Sequence, residues 1–355
     1  MEINVGDNVK IKRGSRPTPL SKYESKIKTI NSIPYPIQSD IDTNSIFLNK
    51  CKKYFRIDLN FKFVPSIKGD LLMTSSCDIG NVVILDFQEA FIDDKFFNLE
   101  VSKQISKSYL KYWLIKNKND ISNLGYGTTI KVLYIEPFKQ YLKTKFLPAL
   151  QTQQAIINII EPFEKLQNSL KKKINTLEIM MLKIANQSHA LGKMKNFDID
   201  FEKGINIKSI YLTNQKTDKT FINVSAINNK PNKYLLNCEV IENINYGDVV
   251  LSLDGTIGLV NNFLKGVNGY GYKVTSNNIH NSIIYCSLID ERNKKIIQEN
   301  SNGSVIKHSS NSKKELLLLD IQNKNVISFF NLQVIYKKTL NIIDYIIDKL
   351  INLCL

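Results

Sequence analysis

Three basic residues near the N-terminus could bind a negatively charged ligand. Lys12, Arg13 and Arg16 are interleaved with glycine, serine and proline, a composition typical of a flexible loop. Lysine and arginine donate to phosphate oxygens, and arginine can also donate two hydrogen bonds to the edge of guanine. The segment is therefore a candidate nucleic-acid contact, although a merely solvated basic loop would have the same composition.

Two loops of similar sequence each end in a lysine. Residues 127–131 read Gly-Thr-Thr-Ile-Lys, and residues 303–307 read Gly-Ser-Val-Ile-Lys. Such a loop can present backbone N–H groups and an ammonium group to phosphate. A turn at a strand end with a solvated lysine accounts for the same residues equally well, so both interpretations stay open. The candidate contacts in these loops are Thr128, Lys131, Lys307 and His308.

Polar residues in the second half of the chain occupy comparable loop regions. Lys216, Lys219 and Lys230 could contact phosphates, and Asn228 precedes Lys230 by two positions. Asparagine can pair with adenine in the major groove of DNA. Because the chain is rich in asparagine throughout, the residue type alone does not establish this role for Asn228.

Motifs for nucleotide hydrolysis and methyl transfer are missing from the sequence. There is no Gly-rich phosphate loop followed by Lys-Ser/Thr and no Gly-x-Gly-x-x-Gly that opens a helix after a strand. An Asn/Asp-Pro-Pro-aromatic segment, which an amino-methyltransferase would need to grip an extruded base, is also missing. Asp93 and Asp94 precede Lys95, but neighbouring carboxylates on a strand would point in opposite directions, which does not suit a metal site. We therefore predict no catalytic residue, no metal and no cofactor.

The strands and loops that must position these candidates occur twice. Residues 69–82 return 178 positions later as residues 247–260, with no insertion. Each copy has a Gly-Asp turn, an apolar strand, a short polar loop, then Ile-Gly and another apolar run. Asp70 and Asp248 are expected to be turn residues and not catalytic acids.

The order of the elements around this repeat is also the same in both halves. The aromatic segment 35–41 corresponds to 221–227, and in each half the loop that ends in lysine and then a long helix follow. The intervening loops differ in sequence and length. Similar scaffolds with dissimilar loops predict two modules that recognise different targets.

Two segments have the spacing of a coiled-coil seam. Gln167 is the one polar member of the first seam, and Thr339 is the least apolar member of the second seam. We expect the two helices to pack on each other, antiparallel, because a heptad seam is narrower than an ordinary core-facing stripe. In the alternative, each helix packs on its own globular neighbour. Pro162 is expected to divide a short lead-in from the main helix. The first seam is Ile156, Ile160, Phe163, Gln167, Leu170, Ile174, Leu177, Met181 and Ile184. The second seam is Phe329, Leu332, Tyr336, Thr339, Ile343, Ile346, Leu350 and Leu353.

Composition points to a polyanionic partner. The 355 residues include 48 Lys and Arg and 33 Asp and Glu, which gives a formal net charge of +15. A basic but inert surface is the alternative. The five cysteines have no metal-binding spacing, and a scattered odd set fits a reducing cytoplasm. Because no signal peptide or apolar span of about 20 residues is present, we do not expect a membrane partner.

Taken together, the chain resembles a type I restriction–modification specificity subunit. The residues that carry the resemblance are the two glycine repeats 69–82 and 247–260, the loops 127–131 and 303–307, and the segment 146–156 with its Pro and Gln pair before the central helix. The resemblance covers nearly the whole chain, and the order of its motifs is more specific than any one of them.

This resemblance implies an α+β fold with two similar globular target-recognition domains, separated by two long antiparallel helices. The domains would be residues 1–148 and 193–320, and the spacer helices 149–192 and 321–355. It also implies a non-catalytic subunit that binds a split double-stranded DNA target in the cytoplasm, together with methyltransferase subunits and a restriction subunit. Two other readings are a coiled-coil interaction protein and an orphan or exchangeable specificity cassette without a working restriction complex.

Overall fold

The structure is a computed structural model and describes residues 2–41, 47–236, 239–303 and 307–355. The chain forms two compact units. Unit 1 comprises Met1–Asn168 and Ile343–Leu355, and unit 2 comprises Ser169–Ile342. Two long helices therefore each contribute one segment to unit 1 and one segment to unit 2.

The elements of the first half are as follows. The strands are β1 Ile3–Asn4, β2 Val9–Arg13, β3 Glu24–Ser25, β4 Ser32–Pro34, β5 Phe47–Leu48, β6 Tyr54–Arg56, β7 Ser66–Ile67, β8 Leu71–Thr74, β9 Val82–Leu85, β10 Glu89–Ala90, β11 Phe96–Val101 and β12 Phe146–Leu147. The helices are α1 Val5–Asn8, α2 Lys107–Lys116, α3 Lys118–Asn123, α4 Ile135–Lys143 and the long α5 Leu150–Gln187.

The second half repeats this plan. Its strands are β13 Ala190–Lys193, β14 Asp200–Lys203, β15 Leu212–Thr213, β16 Phe221–Ile222, β17 Tyr234–Leu235, β18 Val249–Leu251, β19 Asp254–Gly255, β20 Val260–Asn261, β21 Val267–Asn268, β22 Tyr272–Thr275, β23 Lys307–His308 and β24 Leu317–Leu319. Its helices are α6 Val224–Ile227, α7 Asn281–Ile289, α8 Glu291–Glu299 and the long α9 Asn325–Cys354.

The main sheet of unit 1 has the strand order β2-β11-β8-β9-β5 and is antiparallel except for the β5–β9 pair. Its central strand is the apolar run of the first Gly-Asp repeat, and Leu71, Leu72 and Met73 are all fully buried. A strand covered on both faces needs consecutive apolar residues, which explains why this run does not alternate. Beside it, an aromatic cluster fixes the small β3-β6-β4 sheet, and the Phe55 and Phe91 rings stack within it.

The main sheet of unit 2 has the order β14-β22-β18-β20 and is antiparallel. Its strand β18 is the apolar run of the second Gly-Asp repeat and is likewise buried. The core of unit 2 joins this sheet to both long helices, since Met181 and Ala185 of α5 and Phe330 and Val334 of α9 belong to one buried cluster.

Backbone geometry confirms the internal repeat. Gly69 and Gly247 have φ angles of +89° and +99°, and Gly80 and Gly258 have +89° and +80°. These values lie in the left-handed region that glycine adopts at little cost. The glycines therefore recur because both copies make the same two turns.

The acidic residues of the repeat are turn residues, as predicted. In the first copy a carboxylate oxygen of Asp70 accepts a hydrogen bond from the Ile67 backbone N–H at 3.0 Å. In the second copy Asp248 accepts from the Asn245 backbone N–H at 2.8 Å. Each aspartate thus closes its own turn, and the shared chemistry is structural.

The antiparallel pairing of the long helices is confirmed within each unit. In unit 1 the Gln167 side chain, near the middle of α5, donates to the Asp344 carboxylate of α9 at 2.6 Å. In unit 2 the C-terminal part of α5 shares its core with the N-terminal part of α9. The helix α5 runs without a break through Pro162, so the expected division at that residue is wrong. Every residue of the first predicted seam is buried or half-buried.

Each helix also packs on its globular neighbour, so the two arrangements considered as alternatives coexist. In unit 1 Glu164 of α5 pairs with Lys111 of α2 at 3.0 Å, and the Gln153 side chain accepts from the Ser106 backbone N–H, just before α2, at 2.8 Å. Lys111 is 2% exposed, and burial lowers the pKa of its ammonium group to about 8 although Glu164 opposes the shift. The pair is thus a desolvated polar connection between α2 and α5.

The second predicted seam is displaced by one residue at several positions, whereas Ile343 is buried as expected. Leu332 is 37% exposed and Leu353 81% exposed, whereas the residues that follow them are more buried. The buried stripe of α9 consists of Val326, Phe330, Gln333, Val334, Ile343, Ile347 and Ile351. The error arises because α9 contains adjacent apolar residues, and the spacing does not decide which of the two faces inward.

This register yields a test by matched truncations. We expect Phe330→Ala to lower the free energy of unfolding by about 3–5 kcal/mol, because it empties a packed site. Leu332→Ala should cost about 1 kcal/mol or less, because that side chain already meets water. Denaturant titration of the two variants measures both values, and an equal or larger loss for Leu332→Ala would contradict the register.

Candidate nucleic-acid interface

An exposed hairpin, residues 126–132, stands beside the glycine repeat of unit 1; we call it the first hairpin. The backbone N–H of Tyr126 donates to the Val132 carbonyl at 2.9 Å, and Val132 donates back at 2.8 Å. Val132 also bridges to Ser76, and the Cys77 N–H donates to the Lys131 carbonyl at 2.9 Å. The hairpin is thereby fixed to the loop that follows β8.

The first hairpin depends on its glycine. Gly127 has φ +115°, and a Cβ atom there would lie 2.4 Å from the Ile130 carbonyl oxygen. Only glycine therefore fits this turn without a shift of the backbone. The predicted contacts Thr128 and Lys131 both have exposed side chains here, which is the position needed for contact with a ligand.

In unit 2 the backbone pair of Asn302 with His308 corresponds to the pair of Tyr126 with Val132; we call the described residues 302, 303, 307 and 308 the second hairpin. Asn302 and His308 exchange backbone hydrogen bonds at 2.9 and 2.8 Å, and Gly303 has φ +105°. His308 pairs with Asp254 in the loop after β18, and its Nδ1 lies 2.8 Å from the Asp254 carboxylate. Lys307 is exposed. Positions 304–306 of the predicted loop lie outside the described residues.

The basic N-terminal segment is a strand at Lys12 and Arg13, where composition predicted a flexible loop, and only Arg16 lies beyond the strand. Lys12 and Arg13 lie in β2, paired with β11. Their charges are partly engaged, since Lys12 pairs with Glu100 and Arg13 donates to the backbone carbonyl of Asp94 at 2.8 Å. Arg16 lies 3.5 Å from the Asp94 carboxylate. These cations share one edge of unit 1.

The second-half candidates separate into two groups. Asn228 and Lys230 are exposed just after α6, and α6 lies against the loop after β18, because a Cβ on Gly255 would be 3.6 Å from a Val224 methyl carbon. Lys216 is exposed in the connection between β15 and β16. Lys219 is half-buried and its ammonium group donates to the Val240 carbonyl, so it is less available to a ligand.

Sequence reasoning missed the aromatic character of the first hairpin. Tyr126 is 60% exposed and Tyr134, two residues beyond the hairpin, is 52% exposed, with ring centroids 6.0 Å apart. Ile130 is 59% exposed. The sequence shows that Tyr126 directly precedes the turn glycine, but residue type and position alone do not show which way its ring faces.

The Asp93-Asp94-Lys95 sequence does not form a metal site. Asp93 is buried and accepts a hydrogen bond from the Tyr35 hydroxyl at 2.8 Å, and burial raises the pKa of its carboxyl. Asp94 faces Arg16 at the surface. Within the described ranges, no group of three or more His, Cys, Asp or Glu side chains is arranged to hold a metal ion.

Comparison with known proteins defines the class. Residues 2–178 match the family model of the type I restriction modification DNA specificity domain. A solved S subunit of a type I restriction-modification system from M. genitalium superposes with a TM-score of 0.53 at 15% identity and covers 99% of this chain and 94% of that chain. The HsdS subunit from Thermoanaerobacter tengcongensis matches with a TM-score of 0.33 at 12% identity, over 100% and 94% of the two chains. No curated protein matches the chain.

Two similar units with exposed hairpins, joined by long helices, thus define a DNA specificity fold. The chain belongs to the type I restriction modification DNA specificity family, and its function is DNA-target specificity. None of the helices in the described ranges has the length and apolarity needed to cross a membrane.

The exposed lysine of the first hairpin gives a test of phosphate contact. We expect Lys131→Ala to weaken DNA binding and to reduce the slope of log affinity against log salt concentration by about 1, because one fewer counterion is released. Fluorescence anisotropy at several salt concentrations measures the slope. Lys165→Ala, on an exposed side chain of α5, removes the same charge and should leave the slope unchanged. Equal effects of the two variants would contradict a local contact.

Proposed function

We propose that residues 1–148 and 193–320 are target-recognition domains that each read one part of a split double-stranded DNA sequence. Residues 149–192 and 321–355 would form the spacer between them. The observation that carries this proposal is the repeated hairpin, which is fixed to the same loop in both units but has different exposed residues. Two copies of one scaffold with different surfaces suit two different half-sites.

In this proposal the cations hold the DNA backbone and the loops read the bases. In unit 1 the phosphates would be contacted by Lys12, Arg13, Arg16 and Lys131. In unit 2 they would be contacted by Lys216, Lys230 and Lys307 and, less directly, by Lys219. Thr128, Asn228 and His308 would face base edges. The ion pairs of Lys12 and Arg16 would have to exchange with phosphate, which lowers the net gain from each contact.

We further propose that the chain itself is not catalytic and docks methyltransferase subunits, which a restriction subunit joins, in the cytoplasm. Exposed apolar side chains on both long helices support a docking role. In unit 1 these are Ile159, Leu166, Tyr345 and Leu353, and in unit 2 Ile179, Met180, Ile335 and Ile342. Side chains of this kind, left in water on a paired helix, suit a protein partner.

A change in helix length tests the division of labour. Insertion of one heptad into α5 within residues 163–185, with a matching heptad in α9, preserves the seam and lengthens each helix by about 10 Å. We expect the preferred spacer to grow by about 3 base pairs, at about 3.4 Å each, while both half-site sequences persist. Selection from a random duplex pool measures both the spacer length and the half-site sequences. Altered half-sites with a constant spacer would contradict the proposal.

Docking can be tested on the exposed helix residues. We expect Leu166→Glu combined with Tyr345→Glu to prevent co-purification of a methyltransferase subunit, because two charges would enter an apolar interface. DNA binding by the variant should be retained. Ile27→Glu, at an exposed loop position of unit 1, is the control and should co-purify normally. Undiminished co-purification of the helix variant would contradict docking at this surface.

A further inference from the structure

The first hairpin presents an apolar surface to solvent. Tyr126, Ile130 and Tyr134 are each more than half exposed, and the two tyrosine rings are tilted by 53° beside one another. We call these three residues the apolar patch. Large apolar side chains grouped at the surface of a folded unit mark a place of contact with a partner.

The apolar patch is held rigidly. The reciprocal hydrogen bonds of Tyr126 and Val132 and the turn at Gly127 fix the hairpin. Its outgoing strand is anchored by the Leu133 backbone N–H, which donates to the Ser75 carbonyl at 2.7 Å, while the Leu133 side chain is fully buried. The patch therefore presents its side chains without a large ordering cost on binding.

The described residues of the second hairpin share the backbone pairing of the first hairpin, but polar residues stand at the positions of the two tyrosines. The Ser309 N–H donates to the Leu253 carbonyl at 2.8 Å, as Leu133 does to Ser75. At the positions of Tyr126 and Tyr134 the second half has Asn302 and Ser310, both exposed. The backbone pairing is shared between the halves while the residues at the two tyrosine positions differ, which points to these positions as part of the surface that reads the target.

We propose that the apolar patch recognises thymine, through contact with the C5-methyl groups in the major groove; this rests on the proposed function. The major groove admits a two-stranded β-ribbon, and the methyl group is the one apolar feature by which a base pair is distinguished there. The exposed Lys131 lies in the same hairpin, where it can neutralise a phosphate that borders the groove. The second hairpin, with Asn302 in place of Tyr126, reads its half-site without a contribution from thymine methyl groups.

The test replaces thymine by deoxyuridine, which removes only the methyl group. The full-length chain selects duplexes from a random pool synthesised with thymidine and from an equal pool synthesised with deoxyuridine. One half-site should lose base preference in the deoxyuridine pool while the other persists. In the selected duplex, affinity should fall about fourfold for each thymine methyl removed from the first half-site, the change expected for one buried methyl-sized group.

Protein variants assign the effect to the patch. Tyr126→Asn, which installs the residue type of the second hairpin, should bind the thymine and deoxyuridine duplexes with nearly equal affinity. Val64→Asn, at an exposed apolar position outside the hairpin, should discriminate like the unmodified chain. Unchanged unfolding midpoints establish that both variants are folded.

Several results would overturn the inference. The first is a first half-site that contains no preferred thymine. The second is a Tyr126→Asn variant that still binds the thymine duplex more tightly than the deoxyuridine duplex. The third is a Tyr126→Asn variant whose affinity falls equally for both duplexes. If the patch binds a protein partner instead of DNA, the Tyr126→Asn variant will bind both duplexes with the affinity of the unmodified chain, which also contradicts the inference. If the unmodified chain selects no sequence at all, the proposed function itself fails; if it selects a split target indifferent to the methyl group, only this inference fails.

Discussion

The fold depends on the burial of one apolar stripe of α5 and one of α9 within each unit. Neither helix could remain stable alone, since an isolated amphipathic helix gains most of its stability from packing. In unit 2 the two helices and the sheet share a single core. In unit 1 polar contacts supplement the packing, with Gln167 on Asp344 and Lys111 on Glu164. The long helices are therefore integral to the cores of both units.

This shared core has a functional consequence. A surface that reads bases must be held to within a fraction of an ångström, and loops achieve this only when rigid elements support them. Both hairpins are attached to the loop that follows the central strand of a main sheet, through Ser76 in unit 1 and Asp254 in unit 2. The central strand in turn lies in the core. Exposed hairpin residues can thus vary without disturbing the fold.

Much of this architecture could be predicted from the sequence, because its determinants are local. The glycine repeat marks turns with positive φ, and the Gly-Asp pairs close turns through the aspartate side chain. Every member of the first predicted seam is buried or half-buried, although Ile157 and Glu164 are buried more deeply than their predicted neighbours. The second seam was displaced at several positions because pairs such as Phe329-Phe330 and Ile346-Ile347 offer two apolar residues, and tertiary packing buries the second of each pair.

The candidate interface was less predictable, since it depends on which side chains meet after folding. Lys12 and Arg13 were expected in a loop, yet strand pairing with β11 overrides the nearby glycine and proline. The partner of Lys12, Glu100, lies 88 residues further along the chain, beyond the reach of a local pattern. Exposed tyrosines are likewise indistinguishable from core tyrosines by residue type, and only the hairpin geometry shows that Tyr126 faces outward.

Footprinting of the full-length chain on a selected duplex, at single-nucleotide resolution, tests most directly whether two separate units read one target. Two protected segments, separated by an unprotected interval of about one helical turn of DNA, are the result that this account predicts. A single continuous protected segment, or protection that does not depend on sequence, would contradict it.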